Sequence, residues 1–429
     1  MRYTLALIAV LALLAAGCGG GGSKKSSSTG GGSSNVKGSV SMIAVWTGAE
    51  QAAFQAVLNG FKSKYPNVKV TYQPQKDPAS FLSTAVEGGK PPDLAALPAP
   101  GIIKGFVGRG LKPLDFAKST ISANYAPGWL NAGTFNGKLY GLFFKAANKS
   151  TVWYNVKAFK DAGVTPPKTW DDLLKDAKTL KASGVDAFSI GGSDGWTLTD
   201  LFENIYLRQA GPGMYDKLTN HEIKWTDPSV KQALTTMAQV IGDSNNIPGG
   251  TSQALQTDFP TSVTQVFTSP PKAAMVFEGD FVAGVITSST KAKAKTGFDV
   301  FDFPQVGSSS PDAVLGGGDG VVMFKDNPAT EALIKYLASP DAQEIWAKRG
   351  GYTAPNKNVD PSVYPDAITR AAAKGISKSG FRFDMSDQMP AAFGSDAEFS
   401  DLQNFLKNPT DVNGAAAQLE ADAAKAFKK

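Results

Sequence analysis

Carboxylates stand beside aromatic rings at several points in this sequence: Trp46-Thr47-Gly48 with Glu50, Gly195-Trp196 with Asp200, and Glu278-Gly279-Asp280-Phe281. A carboxylate makes charge-assisted hydrogen bonds and a ring offers an apolar face. Together they suit a neutral ligand with hydroxyls on its edges and C–H groups on its faces. Two carboxyls ~5–9 Å apart would also suffice to hydrolyse a glycosidic bond, so residue types alone leave a hydrolase as the rival. Counting excludes other chemistries. One cysteine and one histidine are too few for a disulfide, a Cys/His zinc site or, unless His221 is used, a histidine-based nucleophile. His221 sits in the polar turn Thr219-Asn220-His221-Glu222, where a surface side chain is expected. The sequence predicts no catalytic residue, no metal and no cofactor.

The elements that position these residues belong to a chain of 429 residues, too long for one ordinary core, so two lobes are expected. With 42% hydrophobic and 19% charged residues, the body has the composition of a folded globule rather than a disordered chain. The formal charge is +5, or +4 once Arg2 is removed, and the basic residues are scattered among acids. The densest run, Lys291 to Lys295, alternates with alanine and reads as a solvated loop, so no nucleic-acid partner is expected.

Met1-Arg2 and the apolar stretch Tyr3 to Ala16 read as a signal peptide, too short to span ~30 Å of hydrocarbon permanently. The stretch ends Leu14-Ala15-Ala16-Gly17-Cys18, which resembles a bacterial lipobox, with Ala15 where leucine is preferred. That resemblance implies cleavage after residue 17, lipidation of Cys18 and anchoring to the outer face of the cell membrane. Gly19 to Gly38 is almost wholly Gly, Ser, Thr and Lys, the composition of a tether.

Ser39 to Val45 reads as a strand, and Phe54, Val57, Leu58 and Phe61 share one face of a helix that Pro66 ends. Val68 to Tyr72 alternates as a second strand, so the chain opens with a parallel pair joined by a crossover helix. Further on, Thr169 caps a helix with Asp172 three places later, and Asp186 to Ile190 follows as a strand. Phe298 to Phe303 and Val321 to Phe324 are strand-like, and proline opens helices at Asn327-Pro328 and Ser339-Pro340. Polar or glycine-containing passages at 145–150, 295–298 and 350–356 are candidate crossings between lobes.

Several stretches together resemble the family 1 extracellular solute-binding proteins of ABC transporters. They include Val45-Trp46-Thr47-Gly48, Pro91-Pro92-Asp93-Leu94, Gly137-Lys138-Leu139-Tyr140-Gly141-Leu142, Trp153-Tyr154-Asn155, Pro167 to Leu173 and Ala338-Ser339-Pro340-Asp341-Ala342-Gln343. Narrower features look like the α-glucoside-binding branch: Tyr125-Ala126-Pro127-Gly128-Trp129, Trp225-Thr226-Asp227-Pro228, Gly316-Gly317-Gly318-Asp319 and Arg349-Gly350-Gly351-Tyr352. The resemblance implies an α/β fold of the two-lobed, maltose-binding-protein type with a hinge and an interlobe cleft. Residues 39–147 plus 298–350 are assigned to one lobe, and 148–297 plus 351–429 to the other. It further implies a monomeric receptor that closes on a small oligosaccharide, such as an α-glucoside, and delivers it to permease subunits. The same fold with a polyamine, metal or anion as cargo is the third alternative; scarce Cys and His disfavour a metal.

Open α/β sheets bind ligands beyond the carboxyl ends of their strands. Trp46, Thr47, Gly48 and Glu50, at the end of the first strand, are therefore placed at the cleft. Asp93 follows two prolines, and Phe144 and Lys145 end a hydrophobic strand. Trp196 is the expected stacking platform, with Asp200 nearby. Asp280 is favoured over Glu278 at the next strand end, with Phe281 beside it. Gly317 and Asp319 lie in a glycine run that permits close approach, and Arg349 reaches a hydroxyl or complements a helix end. Trp170 and Trp346 are expected in cores, and Trp129 and Trp153 stay open.

Overall fold

The computed structural model describes residues 35–307, 313–376 and 381–428. Cys18, the signal segment and most of the tether lie outside them. Two sheets carry the architecture. The strands are β1 (Gly38–Ala44), β2 (Val68–Pro74), β3 (Leu94–Leu97), the hairpin β4 (Thr134–Phe135) and β5 (Lys138–Leu139), β6 (Gly141–Asn148), β7 (Thr151–Asn155), β8 (Asp186–Ser189), β9 (Ala273–Phe277), β10 (Phe298–Asp302), β11 (Val314–Met323) and β12 (Phe381–Phe383). The first sheet runs β12-β11-β3-β1-β2, with β6 also paired to β11; the second runs β10-β7-β9-β8.

β1 and β2 are parallel, Gly38 opposite Val68 and Ala44 opposite Pro74, and helix Gly48–Lys64 connects them. Phe54, Val57, Leu58 and Phe61 of that helix are all buried, each contributing roughly 1.5–3 kcal/mol. Thr169 accepts a hydrogen bond from the Asp172 N–H and starts helix Trp170–Ala182, which buries Trp170, Leu173, Ala177 and Leu180. Asn327 and Ser339 cap the two proline-started helices, Pro328–Leu337 and Pro340–Ala347. The first sheet's core includes Trp46, Phe54, Phe144 and Trp346; the second holds Phe202, Trp225, Leu234 and Phe405.

Two boundaries differ from the sequence assignment. β10 pairs antiparallel with β7, Phe298 opposite Asn155, so residues 298–302 belong to the second sheet and not to the first lobe. β12 pairs parallel with β11, Val314 opposite Phe381, and Tyr352 and Tyr364 pack in the first core. The tail therefore pairs with the first sheet as late as Phe383, although Ile368 packs with Trp153 and Val266 on the way, and Met385 enters the second core. In both cases the expected crossing sat at a glycine-bearing passage, whereas strand pairing carries the chain past it. The first passage between sheets is short, from Asn148 at the end of β6 to Thr151 at the start of β7.

Candidate functional site

The cleft between the two sheets encloses about 1080 Å³, just above the usual ~300–1,000 Å³ of small-molecule sites. One wall begins where β1 ends. Gly48 opens its helix at φ +53°, a conformation that glycine adopts freely, with no neighbour where a Cβ would stand, so the backbone and not space requires it. The turn presents Thr47, Gly48 and Glu50 to the cleft. The Glu50 carboxylate accepts a 2.6 Å hydrogen bond from Lys145 Nζ. Lys145 stands opposite Asp319 in the β6–β11 pairing, 3.8 Å away across the ion pair. Burial opposes the Lys145 charge, but Glu50 and then Asp319 outweigh it and carry its pKa up to about 12. Asp319 also accepts from Trp46 Nε1 at 2.5 Å.

The opposite wall is aromatic. Trp196, at the start of helix Trp196–Ala210, has its ring centre 5.2 Å from that of Phe259 and 5.8 Å from that of Phe281, and Phe259 and Phe281 lie 5.3 Å apart. All three line the cleft, with Phe399. Lys145 Nζ lies 5.4 Å from the Phe281 ring centre and Lys149 Nζ 6.0 Å from that of Trp196, so cations edge the aromatic wall.

Of the residues proposed from sequence, Thr47, Gly48, Glu50, Lys145, Trp196, Phe281, Asp319 and Arg349 line this cleft. The others do not. Trp46 is fully buried against Phe54, Phe144 and Trp346, so its ring is core and only its N–H reaches a cleft residue. Phe144 is buried in the same cluster. Asp93 precedes β3, whose far end leads to Pro98 on the cleft wall. It accepts from the Ser41 backbone at 2.7 Å and pairs with Lys325 at 3.0 Å, away from any ligand space.

Asp200, Glu278 and Asp280 are likewise buried, at 2–3% exposure. Asp280 accepts from the Asn148 N–H at 3.2 Å and from the Thr353 hydroxyl, stitching β9's exit to the first passage. Asp200 pairs with Lys149 at 2.9 Å. Burial pushes Asp200 up to about 8 and Glu278 well above the carboxylate range, where Asp200's negative charge adds to the effect. Gly317 lies inside β11 rather than in a turn, and what approaches it closely is Lys149, whose Cε lies 3.1 Å from a Cβ built there. Trp129, Trp153 and Trp170 are buried too, and Trp346, 1% exposed, packs in the first core while also lining the cleft. His221 sits 3.2 Å from Glu420, outside the cleft lining.

Sequence reasoning missed Lys149, Asp194, Phe259 and Asp387, all of which line the cleft. Lys149 was within reach: it lies in the passage 145–150 expected to cross between lobes, of which residues 145, 146, 147 and 149 line the cleft. Asp387 carried no such signal, lying in the one-turn helix Met385–Gln388 of a polar tail. Among the described residues no group of three or more His, Cys, Asp or Glu is arranged to hold a metal, and no helix is long and apolar enough to cross a membrane.

Two α/β lobes, crossed three times by the chain and separated by a polar and aromatic cleft, define a solute receptor of the maltose-binding-protein type. The chain belongs to the bacterial extracellular solute-binding protein family, whose model matches residues 46–344. Membership makes its role that of a receptor acting outside the cytoplasm. It is 31% identical over 375 residues to the osmoprotective compounds-binding protein GgtB of Synechocystis, covering 86% of this chain and 88% of that one. It is 30% identical over 404 residues to the alpha-glucosides-binding periplasmic protein AglE of Rhizobium meliloti, covering 90% and 88%. Among solved structures, the bacterial solute receptor AcbH, described as exclusively preferring β-D-galactopyranose, matches with a TM-score of 0.81 at 20% identity. The match covers 91% of this chain and 100% of that one, a likeness of fold.

Proposed function

We propose that this protein is the lipid-anchored receptor of an ABC importer, holding a small oligosaccharide in the cleft and passing it intact to the permease. The observation that carries the reading is the make-up of the cleft wall. Glu50, Asp77, Asp194, Asp319 and Asp387 line it together with Lys76, Lys145, Lys149 and Arg349, while Trp196, Phe259, Phe281 and Phe399 supply the rings. Acids and bases are nearly balanced, which suits a neutral polyol; a polyamine or an anion calls for a one-sided lining. Rings take the C–H faces of a sugar and charged groups take its hydroxyls, and a wrong epimer leaves a buried group unpaired at ~1–3 kcal/mol. The alpha-glucosides-binding relative supports an α-glucoside such as maltose, trehalose or sucrose. A ligand that touches both walls only when they are near favours closure by its differential affinity.

A thermal-shift and calorimetric screen over disaccharides tests the reading, since ligand at 100 times its Kd adds ~2.7 kcal/mol of stability. A saturable shift with at least one sugar is expected. A flat response to all of them refutes a sugar cargo, and glucose released on prolonged incubation points to hydrolysis instead. Anchoring through Cys18 predicts that Cys18→Ser moves the protein from the membrane to the soluble fraction of secreting cells.

A further inference from the structure

Lys149 and Asp387 both face the cleft and both have bonding capacity left over. Lys149 follows β6 at the first passage between sheets, and its ammonium donates to Asp200 at 2.9 Å and to Asp384 at 2.5 Å. An ammonium has three N–H donors, and no described residue takes the third. Asp387 donates its backbone N–H to Asp384 at 3.0 Å, but no described residue donates to its own carboxyl. The two side chains converge over Gly317: a Cβ built there would lie 3.1 Å from Lys149 Cε, 3.6 Å from its Nζ and 3.4 Å from Asp387 Oδ2. A Cβ there would crowd the lysine stem. Farther back along β6 the charged groups are already engaged, Glu50 with Lys145 and Asp319 with Trp46.

A spare donor 6.0 Å from the Trp196 ring centre and an unpartnered carboxyl near it become costly once a closed cleft excludes water, unless the ligand completes them. We infer that Lys149 and Asp387 form a hydroxyl-reading subsite. The ammonium donates to one hydroxyl oxygen of a pyranose, the carboxyl bonds the adjacent hydroxyl, and Trp196 covers the ring. The inference rests on the sugar-receptor reading and deepens it, making a vicinal pair of hydroxyls the feature this end of the cleft selects. Burial and the neighbouring Asp384 charge push the Asp387 carboxyl well above its ordinary range against the pull of Lys149. That shift favours the protonated form, which can both donate to and accept from a hydroxyl. Asp200 and Asp384 hold the Lys149 ammonium in place.

The test is calorimetry of Asp387→Ala and Asp387→Asn with the best-bound disaccharide and its monodeoxy analogues, alongside apo melting temperatures. Asp387→Ala is expected to bind the parent sugar roughly tenfold or more weakly. It should also lose its discrimination against one monodeoxy analogue. Its apo melting temperature should not fall, because the lost carboxyl had no partner. Asp387→Asn keeps a donor and an acceptor and recovers part of the affinity. Unchanged affinity in Asp387→Ala overturns the subsite, as does a loss that comes with a lower apo melting temperature and intact discrimination. If the unsubstituted protein binds no sugar at all, the receptor reading falls with it, an outcome distinct from a variant that binds like the parent.

Discussion

Asp280 gives this fold a stability that should fall, not rise, from mildly acidic to neutral pH. Its carboxyl is 3% exposed. It accepts from the Asn148 N–H and the Thr353 hydroxyl through Oδ2, while Oδ1 is buried without a partner. Burial outweighs those bonds and the pull of Lys145, raising the group from 3.8 to about 6. A carboxyl raised in the folded state keeps its proton there longer than in the unfolded chain. Its contribution is complete below pH ~4 and is lost as the pH climbs through ~6. The gap corresponds to ~3 kcal/mol at ~1.36 kcal/mol per pH unit, and about half of that disappears between pH 5 and 8. Asp200, raised to about 8, pushes the same way, as do Glu203, Glu278 and Glu398. Asp384, held low by Lys149, acts below this window, and Lys145, raised to about 12, acts above it. Urea unfolding at pH 5 and pH 8 measures the slope directly. Asp280→Asn, which cannot ionise and still offers an oxygen to Asn148 and Thr353, should flatten the slope by ~1.4 kcal/mol. A variant with an unchanged slope, or a parent protein that gains stability toward pH 8, would refute the reasoning.

Trp196→Ala removes one ring face from the cleft, roughly 100 Å² at ~25 cal/mol/Å², so sugar binding should weaken by ~2.5 kcal/mol or about 70-fold in calorimetry. Because the ring also touches Phe259 and Phe281, the apo melting temperature should drop by a few degrees rather than stay fixed. Asp93→Asn should leave sugar affinity unchanged while lowering stability by ~1–2 kcal/mol in denaturant unfolding, since it breaks the Lys325 pair and disturbs the Ser41 bonds.

How much of this was legible in the sequence varied with the physics. The opening strand–helix–strand unit was, because Phe54, Val57, Leu58 and Phe61 repeat at helical spacing and Val68 to Tyr72 alternates. The capped helix at Thr169 and the two proline-started helices were legible for the same local reason. The two misplaced crossings were not, because which sheet accepts Phe298–Asp302 or Phe381–Phe383 is settled by partners more than a hundred and more than sixty residues away, respectively. In the cleft, Glu50 and Trp196 stand at helix starts that pattern reasoning locates, whereas Lys145, expected at a strand end, lies inside β6, which runs on to Asn148. Pattern reasoning cannot tell a carboxylate that lines a cleft from one that braces it, and so it places Asp280 and Glu278 at the ligand although they are buried behind the wall. Trp46 misled in the same manner: its place after a strand is that of a ligand residue, but its ring turns back into the aromatic core.

β11 has a consequence for how the molecule is made. This strand, residues 314–323, sits inside the first sheet, between β3 and β6. The amino-terminal strands thus wait for a partner synthesised long after them, and loop closure over that distance comes before any pairing is rewarded. The early half of the polypeptide has no finished sheet to collapse into while the rest is still emerging. A chain that must be threaded through a membrane pore before it folds gains time from that delay.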